Sequence, residues 1–591
     1  MKSSWVVWAP RARSVELELE GSGARRALER GERGYFHLPG PQLPAGARYR
    51  LSIDGGPGLP DPRSEYQPLG VHGPSQRVEH ESFAWTDAAF TPTPWSEAVV
   101  YELHIGTFTD AGTFRAALER LDHLVELGVS HVELMPVAAF PGHRGWGYDG
   151  VALFAPHAAY GTPDDLKLLV DGCHARGLAV ILDVVYNHLG PDGNYLGSFG
   201  PYFTSDYSTP WGPAVNLDRA GSDEVRRFFC DNALYWLECF HFDALRLDAV
   251  HALIDRSALP FLEQLAQEVA VLERRLGRSK LLIAESDLND PRLIQGREAG
   301  GFGLHAQWSD DFHHCLHVLL TGERGGYYSD FGRLEDLARA LQEGFVYAGR
   351  YSPFRERSHG RPLEGQPLQR LLGYLQNHDQ VGNRAFGDRI GHTLSLEQLE
   401  LGAALVLTAP FVPMLFQGEE WNASTPFRYF TDHQDPALAA AVREGRRREF
   451  ADQGHAAETV PDPQAPATFD ASKLDWDEQS LPEHRRVLDW YRALIALRRR
   501  EPALRASQQD PSALELQEDE SGRGWLLFRR GQLLVAANVS PEAVSVPLAR
   551  EAVVLLASGG VALAPRSLRL PAWGVGILRM NCGDTPHPEL G

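Results

Sequence analysis

Residues 241–251 read HFDALRLDAVH, and the way this stretch folds decides the architecture of the chain. It contains a short apolar run interrupted by one arginine, and the run ends at a carboxylate, Asp248. In a strand, residues i and i+2 share a face. Arg246 and Asp248 then point one way, into a barrel mouth, while Leu245 and Leu247 point the other way, towards packed helices. The same kind of ending recurs in LAVILDVVYNH (178–188), KLLIAES (280–286) and LLGYLQNHD (371–379).

Four more strand-like runs complete a set of eight: AVVYELHIGTF (98–108), HVELMPV (131–137), LHAQWS (304–309) and FVPMLFQGEE (411–420). Most alternate with helical segments. In GTFRAALERLDHLVELG (112–128), Phe114, Leu118, Leu121 and Val125 fall on one helical face, with Gly128 as the stop. Thr162, Pro163 and Asp165 sit at the N-cap, N1 and N3 positions of another helix, which Gly177 ends. Mostly apolar strands suit a parallel sheet buried on both faces. The expected fold class is α/β: a (β/α)8 TIM barrel with an N-terminal β-sandwich and a small C-terminal β domain.

The flanks supply those two additions. WVVWAP, VELELE and YRLSID, within residues 1 to about 85, are strand-like runs between Gly- and Pro-rich turns, followed by an irregular, Pro-punctuated exit. Beyond the helical stretch 482–504, the segments GWLLFRR, QLLVAANV, EAVVLLA and LRLPAWGVGILRM read as strands. The expected domains are 1–90 (sandwich), 91–504 (barrel with loop insertions) and 505–591 (C-terminal β domain), with a polar linker around 451–470. A long Gly/Pro-rich and aromatic stretch, 191–218, follows the third barrel strand, where barrel enzymes place substrate loops.

Composition narrows the function. A net charge of -21 over 591 residues argues against a sequence-independent nucleic-acid binder. No apolar run is long enough to cross a membrane, and the N-terminus lacks the apolar core of a secretory signal. Five widely spaced cysteines (173, 230, 239, 315, 582) form no CxxC pair, which fits reduced thiols in the cytoplasm.

The carboxylates divide the chemistry. Arg246 beside Asp248 keeps that aspartate ionised, as a nucleophile requires. Glu285 ends an apolar strand, and burial near two anionic aspartates raises its pKa, as a general acid requires. Asp379 would hydrogen-bond sugar hydroxyls and favour ring distortion towards an oxocarbenium-like state. Together they read as a glycoside-cleaving centre. His188, His251 and His378 near these acids could suggest a metal, but no HxH or HExxH pairing occurs at the strand ends. Trp146, Tyr148, Tyr202, Tyr207 and Trp211 are either loop packing or flat apolar faces for pyranose rings.

With these residues in view, the chain resembles the α-amylase superfamily of glycoside hydrolases over about 95–590. The family's four motifs are matched in order by Asp183–His188, Arg246–His251, Glu285 and Asn377–Asp379. The resemblance implies that Asp248 is the nucleophile, Glu285 the acid/base and Asp379 the transition-state stabiliser. It also implies that Tyr148, Asp183, His188, Arg246 and His378 line the subsite of the attacked glucose, with His251 a further substrate-binding candidate. Asn187 matches a position that binds calcium in many members, but the loop is short for such a site. No metal and no cofactor are expected. The N-terminal segment is similar to the sandwich that precedes branching, debranching and trehalose-releasing members.

The loop stretches FPGHRGWGYDGV, TPWGPAVNLD, AESDLNDPR, QWSDDFHH and NHDQVGNR look most like the trehalose-releasing branch. That likeness implies retaining hydrolysis of the α-1,4 bond beside the terminal trehalose of a maltooligosyltrehalose, giving trehalose and a maltooligosaccharide. A retaining pair expects carboxyl groups about 5–5.5 Å apart. Asp310, Asp311, Gln380, Asn383 and Arg384, close in sequence to the acids, are candidate polar groups for the kinked trehalose unit. The expected partners are these sugars alone, with no nucleic acid, no membrane and a monomeric chain. The rival readings are a glucan branching enzyme with the same carboxylates, a debranching enzyme, and a non-catalytic glucan-binding barrel.

Overall fold

The computed structural model of the chain describes residues 5–451, 456, 459–505 and 514–581. The first four residues, parts of the 451–470 linker, residues 506–513 at the start of the C-terminal domain and Cys582 lie outside the described residues. All eight expected barrel strands form: β1 (Val100–Leu103), β2 (His131–Leu134), β3 (Ala179–Val184), β4 (Ala244–Leu247), β5 (Leu281–Ala284), β6 (Ala306–Trp308), β7 (Leu371–Tyr374) and β8 (Val412–Phe416). They pair in chain order, all parallel, and β8 closes on β1.

Alternation sorts their side chains as the two-residue period requires. Val100, Ile181, Ala244, Ile283, Ala306, Trp308, Leu372, Tyr374, Val412 and Met414 fill the inside of the barrel. Leu103, Leu134, Leu182, Leu245, Leu247 and Leu415 belong to the outer core against the helices. Arg246 has the parity of Ala244 and therefore points inward.

The connecting helices follow local signals, with one exception. Pro163–His174 starts with Thr162 as N-cap and Asp165 completing a capping box, and Gly177 lies in the turn beyond it at φ +78°. The segment after Gly112 differs from the expected single helix. It forms Phe114–Leu118 and Leu121–Leu127, broken at Glu119–Arg120, and Gly128 ends the second at φ +96°. The break shifts the helical phase. Leu124 is buried in place of Val125, which is 41% exposed.

The flanking β units are also present. Before the barrel, a three-stranded sheet of Val6–Trp8, Tyr35–His37 and Glu29–Arg30 accompanies a second sheet built on Val15–Leu19 and Arg48–Ile53. Gly58–Leu59 and Ser75–Gln76, within the expected irregular exit, pair back onto Arg48–Ile53. These sheets brace the segment after β3. Trp8 packs edge-on against Tyr202, and Arg33 pairs with Glu224 at 2.8 Å. After the barrel, a five-stranded and a three-stranded sheet are formed between Leu514 and Met580. The linker is only partly irregular: helix Pro436–Ala451 runs into it and Pro466–Asp470 ends it. Among the described residues, no helix is long and apolar enough to cross a membrane.

A buried ionic cluster ties the segment leading into the barrel to the barrel's lower end. His174 Nδ1 meets Asp87 and His174 Nε2 meets Asp243, both at 2.8 Å, and Asp87 also accepts from His241 and Arg278 at 2.9 Å. Burial alone would raise the Asp87 pKa, but bonds from His174, His241 and Arg278 hold it well below the carboxylate range. Burial alone would lower that of His174, and bonds to Asp243 and Asp87 outweigh it and raise it. The two groups bound a pH window. The histidine contribution is complete below its unfolded pKa of about 6.5 and is lost as pH rises through the raised folded value. The aspartate contribution is complete above about 3.9 and is lost as pH falls through the depressed folded value. Asp87→Asn should cost about 3 kcal/mol by stranding buried cations. In calorimetric scans its apparent melting temperature should fall by several degrees at pH 5.5, and a change under one degree would show the cluster to be energetically idle.

Candidate active site

The C-terminal ends of the strands deliver the chemistry to one place. Arg246, on β4, is fully buried and is its centre. Its Nη1 donates to Asp183 Oδ1 and Oδ2 at 2.9 and 2.8 Å, and to Asp248 Oδ1 at 2.8 Å. Its Nη2 lies 3.7 Å from Glu285 Oε2. Its guanidinium lies 4.3 Å from the centre of the Trp308 ring, a cation–π contact in the dry barrel interior. One cation thus touches carboxylates from β3, the end of β4 and the end of β5.

The loop between β4 and β5 fixes Glu285 from the other side. Ala249 takes a left-handed conformation at φ +39°, which is strained for a residue with a Cβ. That turn aims its N–H at Glu285 Oε2, 2.6 Å away. Burial pushes Glu285 up to about 8; Arg246 opposes the shift, and Asp248, Asp310 and Asp379 add to it. Burial likewise pushes Asp183 up to about 6, with Arg246 pulling it down.

A second wall is a chain of hydrogen bonds. Tyr148 Oη donates to Asp183 Oδ2 at 2.6 Å and lies 2.7 Å from His378 Nε2. His378 Nδ1 lies 2.5 Å from Glu102 Oε1, and the His378 backbone N–H donates to Glu102 Oε2 at 3.0 Å. Burial would lower His378, but the charges of Glu102 and Asp379 and the hydrogen bond to Glu102 together outweigh it and lift the imidazole to about 9.

Asp379 stands at the start of a short helix, His378–Gly382, whose first N–H groups are capped by the Asn377 side chain. Its carboxylate is 43% exposed and accepts from Asn383 Nδ2 at 3.1 Å. His188 Nε2 bonds the Tyr148 carbonyl at 3.0 Å, and its ring stacks on Trp211, which is 47% exposed. Asp310 accepts from the Tyr374 hydroxyl, and burial pushes it up to about 6. His251 is exposed on a one-turn helix after β4.

Other expected residues lie elsewhere or are already engaged. Asp311 Oδ2 is buried and accepts from Asn289 Nδ2 and from the backbone N–H groups of Val346 and Tyr347 at 2.7–2.9 Å. Through Oδ2 it braces two loops. Arg384 is held between Glu323 at 2.9 Å and Asp388 at 2.7 Å. Gln380 and Arg384 line a cavity of about 270 Å³ behind the Asp379 turn, which none of the three carboxylates reaches. Trp146 is buried under that turn with Nε1 on the Arg428 carbonyl. Tyr202 is packing against the N-terminal sheets, and Tyr207 is bound to Asp218. Of the five aromatics, Tyr148, Trp211 and Trp146 contact other site residues, Trp146 through an edge-on packing against His378 with ring centres 5.9 Å apart.

Sequence reasoning missed Glu102, Glu133, Trp308 and Tyr374. Glu102 has the inward parity of Val100 in an apolar strand, and Trp308 that of Ala306. Glu133 on β2 is fully buried, and burial with nearby Glu102 and Asp183 raises its pKa far above the usual range. Among the described residues, no group of three or more His, Cys, Asp and Glu could hold a metal ion. Asn187 is buried at the end of β3 without such a set around it.

A closed parallel barrel with three acids at its strand ends fits the α-amylase class of glycoside hydrolases, and the comparisons place the chain there. The alpha-amylase catalytic-domain model matches residues 80–205, and a domain of unknown function, DUF3459, matches 519–577. The chain is 50% identical to malto-oligosyltrehalose trehalohydrolase of Mycobacterium tuberculosis, over 97% of this chain and 98% of that protein. It is 49% identical to the Arthrobacter ramosus enzyme of the same name, over 98% of this chain and all of that protein. The crystal structure of a putative alpha amylase from Salmonella typhimurium superposes with a TM-score of 0.89 at 39% identity, covering 98% of this chain and 97% of that one. The chain belongs to the malto-oligosyltrehalose trehalohydrolase family.

The Glu285 environment has a direct spectroscopic consequence. A carboxylic-acid C=O stretch assigned to Glu285 by its absence in Glu285→Gln should persist at neutral pH and be lost as the pH passes about 8. Loss near pH 5, close to the free-carboxyl range, would mean that burial does not hold the proton.

Proposed function

We propose that this protein is a retaining glycoside hydrolase that cleaves the α-1,4 bond beside the terminal trehalose of a maltooligosyltrehalose, releasing trehalose and a maltooligosaccharide. The observation that carries the chemistry is the single guanidinium of Arg246 spanning Asp248 and Glu285. It gathers both acids around one cation at the barrel mouth. The choice of substrate rests on family membership over nearly the whole chain.

In this reading Asp248 is the nucleophile. Arg246 engages its Oδ1, which leaves Oδ2 for the anomeric carbon. Glu285 is the acid. Its Oε2 accepts the Ala249 N–H, so the transferable proton rests on Oε1. Oε1 protonates the bridging oxygen, Asp248 forms the glycosyl-enzyme, and the resulting Glu285 carboxylate takes a proton from water as that water attacks. Asp379 stabilises the oxocarbenium-like state, while Tyr148, Asp183, His188 and His378 hold the ring. His251, Asp310, Gln380 and Asn383 are the remaining candidates for leaving-group contacts. The domain limits 1–90, 91–504 and 505–591 are part of the same proposal. A cytosolic setting fits the four described cysteines, all free thiols.

Product analysis decides the matter. Incubated with maltooligosyltrehalose, the protein should release free trehalose, with plain maltooligosaccharide of equal length cleaved much more slowly. Equal rates on the two would sink the trehalose assignment, and branch formation on amylose with little free sugar would favour the glucan branching reading. Asp248→Asn should lower kcat by about 10⁴-fold with the fold intact. Proton NMR of the first product should show the α-anomer, and a β-anomer would rule out the double displacement.

A further inference from the structure

We propose that Glu102, on the first barrel strand, is a positioning residue that keeps His378 doubly protonated and thereby sets the donor direction of the whole Tyr148–Asp183 wall. Resting on the glycoside-hydrolase reading, it gives a role to a residue outside the four motifs.

The argument is a count of protons. Glu102 meets His378 twice, at the backbone N–H and at Nδ1. A carboxylate facing Nδ1 at 2.5 Å requires that nitrogen to be the donor. On the other side, His378 Nε2 lies 2.7 Å from Tyr148 Oη. Tyr148 has one proton, and Asp183 Oδ2 takes it at 2.6 Å. Arg246 donates to the same Asp183 oxygen at 2.8 Å, so that oxygen is an acceptor on both counts. Tyr148 therefore has only a lone pair for His378, and Nε2 must also carry a proton. A neutral imidazole protonated at Nδ1 would set two lone pairs against each other at 2.7 Å.

The direction then runs from Glu102 inward. The carboxylate accepts from Nδ1, Nε2 donates to Tyr148, and Tyr148 donates to Asp183. The charged groups around the imidazole are Glu102 from β1, Glu133 from β2, Asp183 from β3, Arg246 from β4, Asp379 on its own turn and His104 beyond β1. Glu102 is the anion hydrogen-bonded to the ring, at Nδ1, while Asp379 Oδ2 lies 3.6 Å from Nε2. Glu102 is also 1% exposed, so water offers no substitute counter-charge.

Glu102→Gln keeps the shape and an acceptor but removes the charge. His378 then titrates at or below the free-imidazole value. The ratio of variant to wild-type kcat/KM should fall at least roughly 30-fold between pH 5.5 and pH 8, for an imidazole pKa near 6.5. Glu102→Asp, which restores the charge, should leave that ratio flat whatever its absolute rate. A substrate-free arm uses wild-type protein labelled with 15N-histidine, the His378 signals being assigned by their loss in His378→Gln. Both ring nitrogens should resonate as imidazolium N–H at pH 7. A neutral-imidazole spectrum at pH 7, or a pH-independent ratio for Glu102→Gln, would overturn the proposal. Absence of trehalose among the wild-type products would sink the substrate reading instead and leave the NMR result standing.

Discussion

The interior placement of Arg246 is the constraint on which the site depends. A guanidinium with no exposed surface is costly to desolvate and survives only with close counter-charges. Asp183 and Asp248 supply the charges, and the Trp308 ring covers one face. Each of these groups comes from a different strand or strand end. The barrel must therefore close in the observed register for any one of them to be stable. Removing the arginine would leave two buried carboxylates unpaired beside a third, which links the integrity of the barrel mouth to the protonation pattern proposed for catalysis.

The same cation faces two acids held at different distances from it. Asp248 is in direct contact at 2.8 Å, whereas Glu285 is at 3.7 Å and more affected by burial and neighbouring anions. Burial, together with the charges of Asp248, Asp310 and Asp379, favours the protonated form of Glu285, and Arg246 opposes it from 3.7 Å. The division of labour proposed for a retaining hydrolase thus needs no unusual residue. It needs one acid bonded to a buried arginine and a second acid buried among anions.

Much of this was legible in the sequence, for physical reasons. A parallel barrel buries both faces of its strands, so the eight strands stand out as apolar runs. The two-residue period alone puts Arg246 and Asp248 on one face. Glu102 could have been found by the same parity from Val100, but a lone glutamate in an apolar run carries no motif. The Val125 expectation failed because the break at Glu119–Arg120 rotates the helix, and helical phase cannot be carried across an unmarked break. Asp311 looked like its neighbour Asp310. Its partners, the backbone N–H groups of Val346 and Tyr347, are some 35 residues away in sequence, and nothing local announces them. The partner of Arg384 is equally silent in the sequence, since Glu323 lies 61 positions away.

The spacing of the two proposed catalytic acids is set by backbone more than by side chains. Asp248 N–H bonds the Val184 carbonyl, Glu285 N–H bonds Leu247, and Val250 N–H bonds the Glu285 carbonyl, at 3.0–3.1 Å. These bonds continue the barrel's own ladder one step past the strand ends. Between them sits Ala249, whose left-handed conformation costs on the order of 1–3 kcal/mol. The return is an N–H directed at Glu285 Oε2, which no extended residue at that position could supply. A glycine there would relieve the strain but loosen the turn. The strain is therefore best understood as the cost of a rigid acid, held by a backbone donor against the carboxylate with which it has to cooperate.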